Sequence, residues 1–293
     1  MAYVVAIVAA GDMGAAVGAR LAEHGVRVTT SLAGRSAATA ARAERSRMVA
    51  TADDDALVGE ADFFLSICPP AEAIRLAKRM KPALSRSRKK PVYVDCNAVS
   101  PETAREIGAI LEGTGCSYVD GGIIGLPPPP GHTGTRIYVS GAAATEVSKL
   151  SDFGVPFPVL DGPIGAASAL KMSYGGITKG FTAIAVAMLL GATRSGSAAA
   201  LHKELEMSQP QLLAWLGRQV PRMPPKAYRW VAEMEEIGHF LGDGTPGGDT
   251  YAAIARLYED IAAATRTPAT ADNPVTQLTE FFAATETKER KRA

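Results

Sequence analysis

The chain has 293 residues, of which 47% are hydrophobic, and 31 Lys+Arg stand against 30 Asp+Glu for a formal net charge of +1. That balance excludes the basic surface nucleic-acid binding requires, and the apolar share excludes a disordered chain. Three cysteines (Cys68, Cys96, Cys116) without a CxxC pair fit a reducing, cytoplasmic setting. The apolar runs 4–10 and 183–192 fall short of the ~20 residues that span a bilayer.

Residues 3–10 are a continuous β-rich apolar run, the pattern of a strand buried on both faces. A helix is expected over 11–23, a strand over 26–32 and a helix over 37–45. A strand over 61–68 ends at Pro69-Pro70, and a helix over 71–79 leads to a strand over 91–95. The helix over 101–112 has Ser100 as N-cap and Pro101 in its first position. Strands over 117–119 and 136–140 follow. The alternation predicts an α/β Rossmann domain over 1–162, with a doubly wound, mainly parallel sheet.

Strand signals stop there. Residues 165–193 contain no proline and predict one helix, about 43 Å long at 1.5 Å per residue. Gly175, Gly176 and Gly180 lower its propensity but permit close approach of a neighbour. Helices over 209–218, 226–241 and 250–265 flank a loop over 242–248, so 163–293 reads as an all-helical domain for substrate binding and dimerisation. Trp230 with Met234, and Tyr251 with Tyr258, read as core or interface positions. The charged stretch 286–292 reads as a solvated tail. His24, His132, His202 and His239 are scattered, so no metal site is expected.

The turn after the first strand is Ala9-x-Gly11-Asp12-Met13-Gly14. A dinucleotide needs this: a tight turn, a backbone that can approach a diphosphate, and open N–H groups at a helix start. The second strand ends without the acid that would accept from the ribose hydroxyl of NAD. Arg35 and Ser36 stand nearby instead and suit a 2′-phosphate, favouring NADP over NAD.

These motifs resemble the β-hydroxyacid dehydrogenase family, which includes 6-phosphogluconate and 3-hydroxyisobutyrate dehydrogenases. The resemblance rests on the turn at Ala9–Gly14, on Ile67-Cys68-Pro69-Pro70, on Asp95-Cys96-Asn97-Ala98 before Ser100-Pro101, on Asp120-Gly121-Gly122-Ile123-Ile124-Gly125, and on Lys171 after Gly165. It implies a cofactor site at Ala9, Gly11, Asp12, Met13, Gly14, Arg35, Ser36, Cys68, Pro69, Pro70 and Asn97. It implies a substrate site at Gly122, Ile123, Ile124, Gly125, Lys171, Gly175 and Glu236, with Lys171, Tyr174 and Asn97 as catalytic groups. Asn97-Ala98 stands where the family has Ser-Thr, Gly175 where it has Asn, and Glu235-Glu236 about where it has Lys-Asp. Ile124, Pro127–Pro130 and Gly175 make the expected pocket roomier and more apolar, which points to a hydroxy acid-like or bulkier hydroxy compound.

The implied activity is NADP-dependent hydride transfer to or from a small-molecule alcohol or carbonyl, with Lys171 handling the proton in a homodimer. Lowering of the lysine's pKa by burial or a nearby cation would let it do so near neutral pH. An NADPH-dependent imine reductase, with Tyr174 or Glu236 supplying the proton, and a non-catalytic NADP-binding protein are the alternatives.

Overall fold

Residues 3–129, 131 and 134–289 are described by a computed structural model. Strand β1 (Val4–Val8) runs into helix α1 (Asp12–Glu23), then β2 (Arg27–Ser31), α2 (Ala37–Arg45), β3 (Val49–Thr51) and α3 (Asp54–Gly59). Next come β4 (Phe63–Ser66), α4 (Ala73–Arg86), β5 (Val92–Asp95), α5 (Pro101–Leu111), β6 (Tyr118–Ile124), β7 (Arg136–Ser140) and α6 (Ala144–Ser148). The described strands form one sheet in the order β3-β2-β1-β4-β5-β6-β7. Every neighbouring pair is parallel except β6 with β7. The doubly wound sheet expected from the sequence is therefore present. Chain order reverses between β1 and β4, and such a switch point opens a crevice at the carboxyl ends of the strands.

The sheet is buried on both faces. Val5, Ile7, Phe63 and Leu65 pack with α1 residues such as Val17 and Leu21. Ala6, Val8 and Phe64 pack with Leu76, Met80 and Ile107 from α4 and α5. This is why 3–10 reads as an unbroken apolar run.

Several elements differ from expectation. β3 and α3 were not expected: β3 is a three-residue edge strand of Val-Ala-Thr, too short to show a period. α3 is a six-residue helix whose cap Asp53 accepts from the Ala56 N–H. α4 continues through Pro82 to Arg86, and β6 runs on through its glycines to Ile124, because pairing with β7 outweighs their weak strand propensity.

The helical region contains α7 (Ala166–Gly175), a π turn (Gly176–Gly180), α8 (Phe181–Arg194), α9 (Ala198–Ser208), α10 (Pro210–Gln219), α11 (Ala227–Leu241), α12 (Pro246–Ala264) and α13 (Pro274–Glu289). The expected single helix over 165–193 is thus one helical run with a π turn inside it. By length and composition alone, Ala166–Arg194 could cross a membrane; 44% of its most apolar window is buried. The charged stretch read as a solvated tail is helical through Glu289. Pro130, His132 and Arg290–Arg292 lie outside the described residues.

Two compact units emerge, Met1–Met172 and Ser173–Ala293. In the second, the π turn has a specific lining. A Cβ on Gly180 would lie 2.5 Å from the Tyr251 hydroxyl oxygen. Tyr258 Oη donates to the Lys179 carbonyl at 2.6 Å. Lys179 Nζ forms an ion pair with Glu233 and sits 5.2 Å from the Trp230 ring centroid. Tyr251, Tyr258 and Trp230 are therefore packing residues, and the Lys179–Trp230 contact helps seat the π turn.

Candidate functional site

The first site lies where β1 and β4 end. Ala9 N–H donates to the Ile67 carbonyl at 2.8 Å, and Ile67 N–H to the Val8 carbonyl at 2.5 Å. These bonds bring the glycine turn beside Cys68-Pro69-Pro70. Gly14 is demanded by geometry: a Cβ there would lie 2.0 Å from the Ala9 carbonyl oxygen. Gly11 is the N-cap of α1 and supplies no side-chain cap, and nothing lies within 4 Å of where its Cβ would be. An anion can therefore approach the helix start closely. Met13 is half-buried in the first turn, and Asp12 is exposed.

At the end of β2, Ser31 Oγ is buried without a hydrogen-bond partner among the described residues. Arg35 is exposed, three residues beyond Leu32, whose carbonyl accepts from its N–H. Ser36 is the N-cap of α2, its Oγ accepting from Thr39 N–H at 3.3 Å. An open helix start, an orphaned buried hydroxyl and an exposed guanidinium fit the diphosphate and adenosine ends of a dinucleotide.

Asn97 sits differently from the role expected of it. It is 2% exposed and spends its amide inside the protein. Its Oδ1 accepts from Cys68 N–H at 2.6 Å, and its Nδ2 donates to Ser66 Oγ at 2.7 Å and to Asp95 Oδ2 at 3.1 Å. Its own N–H donates to Asp95 Oδ1 at 2.9 Å. Asn97 thus ties the Cys68–Pro70 loop to β5. Burial pushes the Asp95 carboxyl up to about 7, opposed by the Asn97 hydrogen bonds and reinforced by Asp120. Burial likewise raises the Cys68 thiol to about 12, helped by Asp95, so Cys68 is a packing residue rather than a reactive thiolate.

The second site is built by Asp120 at the start of β6. Its Oδ2 accepts from Ser140 Oγ at 3.0 Å, from Gly165 N–H at 2.9 Å and from Ser168 N–H at 3.0 Å. Its Oδ1 accepts from Ser168 Oγ at 2.6 Å. Asp120 therefore caps α7, where the helix dipole favours an acid. The cap holds α7 against β6. A Cβ on Gly122 would lie 2.8 Å from the Ala167 carbonyl oxygen and 3.0 Å from Lys171 Cβ. Only glycine permits this approach, and it sets Lys171, half-buried, beside the strand carrying Gly122, Ile123 and Ile124. Gly125 follows at φ +129°, where its Cβ would meet Thr135 Cα at 2.8 Å.

The remaining predicted residues belong to the helical unit. Tyr174 is exposed on α7, and Gly175 is buried, its would-be Cβ 3.3 Å from Glu233 Oε1. Glu236 is half-buried on α11. The residues that sequence reasoning missed are Asp120 as a cap, Ser31 and Arg42. Arg42 reaches the glycine turn from α2, thirty residues along the chain, and no local spacing signals that.

The model of the NAD binding domain of 6-phosphogluconate dehydrogenase matches residues 4–153. The chain belongs to this family. A second model, the domain of unknown function DUF1932, matches residues 192–261. Among solved structures, the conserved protein MTH1747, described as structurally similar to 3-hydroxyacid dehydrogenases, is 28% identical. The match covers 90% of this chain and 98% of that one, with a TM-score of 0.67. The Mycobacterium tuberculosis 3-hydroxyisobutyrate dehydrogenase with L-serine is 18% identical over 91% of this chain and 100% of that one, TM-score 0.66. The Myxococcus stipitatus imine reductase in complex with NADP+ is 19% identical over 95% and 99%, TM-score 0.53. The family match and the likeness to MTH1747 support an oxidoreductase with an NAD(P)-binding domain and a small-molecule substrate, and the two more distant structures show the shared fold.

Proposed function

We propose that the protein is an NADP(H)-dependent dehydrogenase or reductase acting on CH–OH groups, with Lys171 as the proton donor and acceptor. The observation that carries this is the close docking of α7 on β6, which places Lys171 beside Gly122. When bound, the nicotinamide supplies the hydride. Lys171 hydrogen-bonds the substrate oxygen and gives or takes its proton as the carbon changes oxidation state. Tyr174, three residues later on α7, adds a second donor, and Glu236 serves the substrate end of the helical unit.

The backbone of Ala9, Gly11, Asp12, Met13 and Gly14 holds the diphosphate, and Cys68, Pro69 and Pro70 lie along the cofactor. Asn97 acts as a positioning residue by fixing that loop. Arg35 pairs with the 2′-phosphate and Ser36 offers its hydroxyl, so NADP is preferred over NAD. Gly122, Ile123, Ile124, Gly125 and Gly175 line a site for a hydroxy acid-like or bulkier hydroxy compound. Functionally, 1–162 is the nucleotide-binding part and 163–293 the substrate and dimerisation part of a cytoplasmic homodimer.

Imine reduction is the second reading. Likeness to an imine reductase and the absence of the family's Asn at Gly175 favour it. The test is NADPH consumption on a panel of aldehydes, β-keto and semialdehyde acids, and cyclic imines, repeated with NADH. We expect turnover on the carbonyl compounds, at least tenfold better kcat/KM with NADPH, and loss of that preference in Arg35→Ala. Turnover on imines alone favours the second reading. NADP(H) binding without turnover on any of these favours a non-catalytic binding protein.

A further inference from the structure

Asp12 opens α1 and places a carboxylate in the first turn of the helix whose N-terminus takes the cofactor's diphosphate. In the free protein this is favourable, because an acid complements the helix dipole. Once a diphosphate arrives, the same carboxylate becomes a like-charged neighbour. Arg42 answers it from α2. Its Nε lies 3.3 Å from Asp12 Oδ1, and its Nη1 donates to the Ala10 carbonyl at 3.2 Å. One guanidinium therefore braces the glycine turn and neutralises the acid within it. Arg42 lies in the last turn of α2, so the end of that helix reaches the cofactor turn.

We propose that Arg42 is a positioning residue for dinucleotide binding: by pairing with Asp12, it lets a diphosphate share the start of α1 with a carboxylate. The inference rests on the reading that this turn binds a dinucleotide. Its charge logic distinguishes Arg42 from Arg35. The diphosphate is common to NADP and NAD, so Arg42 affects both alike, whereas a 2′-phosphate ligand affects NADP alone. The Arg42 and Asp12 side chains are 33% and 62% exposed, so the pair works in solvent and is screened by salt.

The test is calorimetric titration of the full chain with NADP+ and with NAD+, at low and at 0.5 M salt, with folding checked by thermal melting. At low salt, Arg42→Ala is expected to raise Kd for both dinucleotides by about tenfold, shrinking below about threefold at high salt. The double variant Asp12→Ala/Arg42→Ala is expected to return within about threefold of wild type, because removing the acid removes the repulsion. Asp12→Asn alone, which keeps the turn and frees the guanidinium, is expected to bind both at least about twofold more tightly. It supplies the test should Arg42→Ala fail to fold.

Loss of affinity in Arg42→Ala that salt does not change and Asp12→Ala does not rescue would mean that Arg42 only braces Ala10. That overturns the proposal, as does an effect confined to NADP+, or Asp12→Asn binding no tighter than wild type. Failure of the wild type to bind either dinucleotide removes the cofactor reading itself, a result distinct from all of these.

Discussion

Single side chains carry the main surprises. Asn97 looks like a cofactor or substrate ligand because it stands in a family motif, yet its amide is committed to Cys68, Ser66 and Asp95. No sequence pattern shows that a polar side chain is already spent. Asp95, its partner, is fully buried in register with Asp120 on β6. Its carboxyl is pushed up to about 7, from an unfolded value of about 3.9. Between those values the unfolded chain has released the proton and the folded one keeps it. Stability from this group is thus present below about pH 4 and is lost as pH rises through about 7, by up to about 4 kcal/mol. Asp95→Asn cannot titrate. Melting across pH 5–8 is therefore expected to show the wild type losing several degrees relative to that variant as pH rises. Parallel profiles would contradict the assignment.

At the scale of elements, legibility followed periodicity and length. β1, β5, α1 and α5 were readable because their apolar runs and caps are local signals. β3 and α3 were not, because three-residue strands and single helical turns have no period to detect. The π turn was invisible for another reason. Gly176 and Gly180 announced a close approach, but the groups filling that space, Tyr251 and Ile237, come from distant helices. One element also presents an exposed apolar row. Tyr174, Ile177, Phe181, Ile184 and Met188 are exposed at intervals of three and four residues along the run through α7 and α8. An apolar row of this spacing is a helix face made for another helix, and it supports the proposed homodimer. Light scattering after size exclusion is expected to give twice the chain mass at micromolar concentration, falling to one mass in Ile184→Glu/Met188→Glu. A wild-type monomer would contradict the assignment of this face.

At the scale of the whole molecule, the sequence showed a change of character near residue 162, and the structure shows two units dividing after Met172. The ten residues between lead into α7, which Asp120 ties to the sheet. That tie explains how a lysine on an otherwise helical segment comes to belong with the nucleotide-binding unit. Its substrate is not written in the same signals, because Gly175 and Asn97-Ala98 depart from the family pattern where a small hydroxy acid would be held. The central claim is that Lys171 moves the proton. The most direct test is kcat of Lys171→Ala at saturating NADPH, on whichever carbonyl compound the wild type turns over, alongside its NADP+ affinity. We expect kcat to fall at least about 100-fold with cofactor Kd unchanged; an unchanged kcat would show that Lys171 is not the proton-transferring group.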